Sequence, residues 1–189
     1  MTNRSQFALF LILIMVFLAG KTVAQSSTAG DIISLQVQDY CLIETNQIPV
    51  NLTLSTSTAG SPVTAASNSA VYVKVSSVVP VNMYRSMTAR ISGGAVPQYT
   101  QLSLVAAPCT VTNSGGNLGT VVSTPIILSS TDQNIITSIG SCYTGTWSND
   151  GYKLTYTWYP VSPATNYSLI VATPSPITIT IVLTITSAM

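Results

Sequence analysis

Residues 177–186 read Ile-Thr-Ile-Thr-Ile-Val-Leu-Thr-Ile-Thr, with Ile or Leu at every odd position and Thr or Val at every even one. A period of two sends alternate side chains to opposite faces of an extended strand. The stretch therefore specifies one apolar face and one mostly hydroxyl face. No helix can use such a pattern, because its period of 3.6 would scatter the isoleucines around the axis.

The same alternation recurs along the chain. Ile33, Leu35 and Val37 alternate with Ser34, Gln36 and Gln38, and Val71, Val73 and Val75 with Tyr72, Lys74 and Ser76. Val50, Leu52 and Leu54 form another such set, as do Leu102, Leu104 and Ala106. Further strands are expected over residues 83–91, 121–128, 135–139, 143–147, 152–159 and 167–172. Turn-forming stretches such as "TAGSP", "SGGAVP", "NSGGNLG" and "PVSPATN" separate them. The ten prolines fall mostly in these breaks, where a missing N–H removes no ladder bond. Many short strands at such spacing predict an all-β fold, an antiparallel β-sandwich in a single domain. Asn149-Asp150-Gly151 predicts a tight hairpin turn between "CYTGTW" and "YKLTYTWYP", bringing Trp147 close to Tyr152 or Leu154.

The N-terminus reads as a signal peptide. Arg4 precedes an apolar run over residues 7–20, and small Thr22 and Ala24 stand before Gln25. The run has 14 residues, short of the roughly 20 a membrane-spanning helix needs. Residues 1–24 are thus expected to be a signal peptide and 25–189 the exported domain, with no membrane span after cleavage. Export leads to the periplasm, the cell surface or the medium.

Charge narrows the function classes. Only 6% of the chain is charged, against roughly 25% in an average soluble domain. After residue 24, four basic side chains face five acidic ones, and the basic ones are scattered. Nucleic-acid binding needs clustered cations to neutralise phosphates, so that class is excluded. Ser, Thr, Asn and Gln carry solubility instead, a composition suited to extracellular walls, fibres and adhesive surfaces.

The chain has no histidine, which removes the commonest general base and the usual zinc ligands. No pair of carboxylates is recognisable for glycoside hydrolysis, and "NSGGNLG" lacks the Lys of a phosphate-binding loop. The reading is non-enzymatic, with no cofactor and no metal. Cys41, Cys109 and Cys142 are expected to supply one disulfide in an oxidising compartment. The turn-like surroundings of Cys109 and Cys142 favour that pair, while Cys41 can still pair with either.

Aromatic residues offer the one candidate ligand site. In "YKLTYTWY", Tyr152, Leu154, Tyr156 and Trp158 share one face, and with Trp147 they would make a stacking platform for sugar rings. The competing reading makes this face the core, which the polar set on the opposite side favours. Asn51-Leu-Thr and Asn166-Tyr-Ser also match the glycosylation acceptor pattern.

With its leader, its alternating segment at residues 33–37 and its terminal Ile/Thr strand, the chain resembles secreted bacterial surface β-sandwich proteins. The families are fimbrial (pilin-like) subunits and spore-coat-U-like proteins. The resemblance implies an Ig-like or pilin-like sandwich and a structural or adhesive role. Its partners would be further copies or other surface subunits, with glycans as the alternative. It also implies that Ile33, Leu35 and Val37 of one subunit complete the sheet of the next, beside the last strand with Ile177, Ile179, Ile181, Leu183 and Ile185. The chain ends Thr186-Ser187-Ala188-Met189, without the near-terminal Tyr usual in those pilins.

Overall fold

A computed structural model describes residues 27–189; the signal peptide expected over residues 1–24 lies outside the described residues. Residues 27–36 belong to one unit and 37–189 to another. In the first, every described residue is exposed and none is in a helix or strand.

The body carries eleven strands: β1 (Tyr40–Thr45), β2 (Ala66–Val78), β3 (Arg85–Gly93), β4 (Thr100–Ala106), β5 (Gly115–Gly116), β6 (Thr120–Val121), β7 (Ile126–Ile127), β8 (Gln133–Ile139), β9 (Cys142–Tyr143), β10 (Tyr152–Pro160) and β11 (Thr180–Ile185). They form two antiparallel sheets. The larger runs β5-β9-β2-β10-β4-β7 with β1 also on β2, and the smaller runs β11-β3-β8-β6. The chain is an all-β sandwich.

Alternation explains the core. Val71, Val73 and Val75 of β2 turn inward, as do Leu102, Leu104 and Ala106 of β4 and Tyr152, Leu154 and Tyr156 of β10. Met87 and Ala89 of β3 belong to the same core, and so do Ile135, Ile136 and Ile139 of β8. Each large aliphatic side chain contributes roughly 1.5–3 kcal/mol by leaving water. Ile135 and Ile136 are neighbours yet both buried, which strict alternation forbids. Register shifts in the pairing of β3 with β8 resolve this, since an extra residue in a bulge lets consecutive side chains share a face.

β2 organises the larger sheet. It pairs β1 over residues 73–78, β9 at 76–77 and β10 over 66–73. A strand has two edges, so the overlap of these ranges puts β1 along one and β9 and β10 end to end along the other. The expected hairpin at Asn149-Asp150-Gly151 is therefore corrected. β9 and β10 run in the same direction, and residues 145–151 make an excursion between them. Two features hold it in that form. Thr144 donates its N–H to Val75 O at 3.0 Å while its hydroxyl accepts from Val75 N–H at 2.8 Å, keeping the chain against β2. Gly151 then returns at φ +100°, so close to Val73 O that a Cβ would collide with it.

The strand expected over residues 167–172 is also corrected. Pro163–Asn166 is a helical turn, followed by a 3-10 turn at Tyr167–Leu169. Pro163 sits at its first turn, where a missing N–H is harmless, and Ser162 O accepts from Thr165 and Asn166 N–H. Residues 50–54 form no strand, only the bridge Ser55↔Thr64 that follows.

Gly151→Ala tests this account of the excursion. The wrong-handed φ and the clash with Val73 O are expected to lower stability by about 2–4 kcal/mol, read from urea unfolding.

Candidate functional site

The two sheets each end on a strand with an unused edge, and the two strands are adjacent. β11 pairs only β3 among the described residues, and β1 pairs only β2. Thr186 N–H donates to Ser86 O at 2.8 Å, so even-numbered residues of β11 bond toward β3. By the alternation of antiparallel ladders, the N–H and C=O of Ile181, Leu183 and Ile185 point to the other side. In β1, Asn46 N–H donates to Tyr72 O at 3.1 Å, which fixes the same parity. The backbone groups of Cys41, Ile43 and Thr45 thus turn away from β2. β1 lies next to β11, so both free edges border one seam of the sandwich.

The seam is also greasy. Ile179, Ile181, Leu183 and Ile185 pack against the core, yet all four are only half-buried. Ile177 lies outside the strand and is exposed. The apolar face of the terminal strand is thus incompletely covered by its own body, whereas its hydroxyl residues Thr180 and Thr184 face solvent.

Arg85 closes one end of the seam. Its guanidinium is almost wholly buried, pairs with the Asp39 carboxylate just before β1, and donates to Thr186 O just after β11 at 3.0 Å. Arg85 Nε and the Ser77 hydroxyl are both buried without a partner. Cys41 stands opposite Ser77 on the core-facing side, where partial burial raises its thiol pKa against the lowering influence of the Arg85 charge.

The expected disulfide is absent. Cys41, Cys109 and Cys142 are all free thiols. Cys41 and Cys142 flank Ser77 on opposite sides, two strand spacings or about 9.5 Å apart, beyond the reach of a disulfide. Cys109 Sγ instead lies 3.9 Å from Thr144 O, which accepts its S–H. Burial pushes the Cys142 thiol up to about 11, helped by the neighbouring Cys41 and Cys109.

The aromatic platform is corrected as well. Tyr152, Leu154 and Tyr156 are core residues and present no face to a ligand. Tyr152 donates its hydroxyl to Leu118 O, and burial raises the pKa of its phenol. Burial pushes the Tyr156 phenol up to about 12. Trp158 is half-buried and donates Nε1–H to Thr100 Oγ1 at 2.8 Å. Only Trp147 is open to solvent, 74% exposed on the excursion. The strand must spend one face on the core, and the aromatics of β10 occupy it.

The excursion is clamped by Asp150. Its buried carboxylate accepts from Asn113 Nδ2 and from Trp147 N–H, both at 2.8 Å, while its own N–H donates to Trp147 O at 3.1 Å. The Asn113 amide above all holds this carboxyl below the usual carboxylate range against the opposing effect of desolvation. The N–H groups of Trp147 and Thr146 and the charge of Lys74 assist. Sequence reading saw a turn here. It missed the clamp, because Asn113 is 37 residues away.

Elsewhere the surface offers little chemistry. A depression of 320 Å³ is lined by hydroxyl residues between Ser55 and Thr64 and contains no ionisable side chain. No group of three or more His, Cys, Asp or Glu among the described residues could hold a metal ion. No helix there is long and apolar enough to cross a membrane. Asn166 spends its amide on Val161 O, whereas Asn51 is exposed. A scan against protein-family models finds no match, and comparisons with curated proteins and with solved structures find none either.

Two outcomes are expected. At about pH 8 a thiol titrating near 11 is only about one-thousandth thiolate. Mass spectrometry after brief alkylation should find Cys41 modified in the native protein, with Cys109 and Cys142 modified only in denaturant. Asp150 has a depressed folded value, so its stabilisation is present above the ordinary value near 4 and is lost as pH falls through the folded one. Thermal melts should show Asp150→Asn less stable than wild type at neutral pH, with the gap closing below about pH 4.

Proposed function

We propose that this protein is an exported, non-enzymatic structural or adhesive surface subunit that assembles by strand addition. The alternating segment at residues 33–37 of one copy would enter the seam beside β11 of the next. One observation carries this reading. Ile33, Leu35 and Val37 are 77%, 89% and 82% exposed, in a stretch without any strand partner. Three large apolar side chains at period two, left in water, are a liability unless a sheet receives them.

The seam has the complementary features. The free N–H and C=O groups on the β1 and β11 edges can extend either ladder, and the half-covered Ile181, Leu183 and Ile185 can receive an apolar side chain every second residue. Burying three such side chains contributes roughly 1.5–3 kcal/mol each before the entropy of ordering the segment is subtracted. Low overall charge places little repulsion between copies. The resemblance to fimbrial and spore-coat-U-like subunits, and export through the N-terminal leader, belong to the same reading.

The test is oligomeric state. Purified chain is expected to form concentration-dependent oligomers or fibres by size-exclusion chromatography and electron microscopy. The triple variant Ile33→Asp, Leu35→Asp, Val37→Asp should stay monomeric with an unchanged melting temperature. Wild type that is monomeric at every concentration would overturn the proposal.

A further inference from the structure

The two most exposed aromatic side chains of the described residues are four apart in sequence, Tyr143 at 56% and Trp147 at 74%. Both belong to the stretch where β9 leaves β2 and the excursion begins. Tyr143 pairs Ser76 of β2, whose other cross-strand neighbour is Leu42 of β1. Val75 and Ser77 point into the core, so Leu42, Ser76 and Tyr143 form one row across the outer face of the larger sheet. Small Ser76 leaves a trough between two large side chains. On the far side the Tyr143 ring lies on Gly115, where an added Cβ would stand 3.0 Å from it.

The next row holds Glu44 and Lys74, paired at 3.2 Å. Lys74 Nζ also donates to Thr146 O at 3.5 Å, which draws the excursion over this same outer face. The backbone of Trp147 is immobilised on both sides, its N–H and C=O each bonded to Asp150. A backbone held in this way leaves only the side-chain rotations of Trp147 to be ordered on binding, and aromatic side chains with two such rotations suit recognition surfaces.

We propose that this face binds the uncharged pyranose rings of a carbohydrate, with Trp147 and Tyr143 stacking against sugar faces. Ser76, Lys74 and Glu44 hydrogen-bond the ring hydroxyls. Charge selects this ligand class. Lys74 offsets Glu44, and the nearby Asp150 carboxylate is engaged by Asn113 and Trp147 N–H, so the face holds no excess of cations for an anionic ligand, and a cationic one would meet repulsion from Lys74. Size points the same way. Two rings and Leu42 fall far short of the roughly 800 Å² per partner that a stable protein interface buries. The axial C–H groups of a pyranose carry slight positive charge and suit the negative face of an aromatic ring. The site lies on the outer face of the larger sheet and does not depend on strand addition at β11.

The experiment uses full-length chain and a printed array of neutral oligosaccharides, followed by titration of the strongest in solution. Trp158→Phe leaves Trp147 as the sole indole, so its emission should shift to the blue as sugar covers it. Trp147→Ala and Tyr143→Ala are each expected to weaken binding about tenfold or more, while Trp147→Phe, which can still stack, stays within a few-fold. Trp147 is outside the core, so the melting temperature should not move and misfolding does not explain a loss. Failure of wild type to bind any neutral glycan would overturn the inference. So would undiminished binding by the Tyr143→Ala, Trp147→Ala double variant, or selection of anionic glycans only.

Discussion

The body is organised by the two-sided hydrogen bonding of β2. A thirteen-residue strand in a sandwich core must satisfy its N–H and C=O groups along both edges, because burial without partners is costly. β1 satisfies residues 73–78 of one edge, with Asn46 bonding on to Tyr72 and Ala70, and β9 and β10 share the other. No single strand of this chain spans that second edge alone, so the polypeptide leaves after Thr144 and returns at Gly151. The Thr144 hydroxyl fills the gap in the ladder. From that break follow the excursion, its Asp150 clamp and the exposed Trp147. The exposure of Trp147 is thus a consequence of hydrogen bonding in the core.

A second constraint comes from scarcity of charge. Few groups are ionisable, and several of those present join segments distant in sequence. Arg85 ties the start of β1 to the end of β11, and Asp150 ties the excursion to the segment carrying Asn113. Lys74 and Glu44 tie β1 to β2. The buried guanidinium of Arg85 sits where the two sheets have free edges. Desolvating it is tolerable because Asp39 neutralises it and Thr186 O accepts from it. The seam therefore has a defined end rather than fraying open.

Much of the fold was legible from period-two alternation. The inward faces of β2, β4 and β10 follow it residue by residue, because a half-buried strand has no other way to separate its side chains. It was less informative where geometry departs from a regular ladder. The β3–β8 bulge turns both Ile135 and Ile136 inward, and no local pattern announces a bulge. Asp150-Gly151 is a turn, with positive φ at Gly151, but not a hairpin, since turn chemistry is local and strand partners are not. Cys109 and Cys142 read as a disulfide from compartment and turn-like surroundings. Pairing, however, depends on where the fold sets each thiol: Cys109 donates to Thr144 O, and Ser77 stands between Cys41 and Cys142. For the candidate site, Trp147 was visible as an aromatic near a turn. Tyr143 was not, because its outward direction is set by its register with Ser76.

The sequence by itself determined that this chain is β-structured, poor in charge, without histidine, and supplied with alternating apolar segments near both ends. Those are matters of residue type and spacing, which act within a few residues. Only the tertiary structure decided which edges remain free, which aromatics are spent on the core, and that residues 33–37 stand in water without a strand partner. The physical reason is that exposure belongs to a surface, and a surface exists only after distant segments have packed. The terminal Ile/Thr strand shows the division. Its faces were written in its alternation, but its half-covered flank and open hydrogen-bond edge come from having β3 as its one strand partner among the described residues.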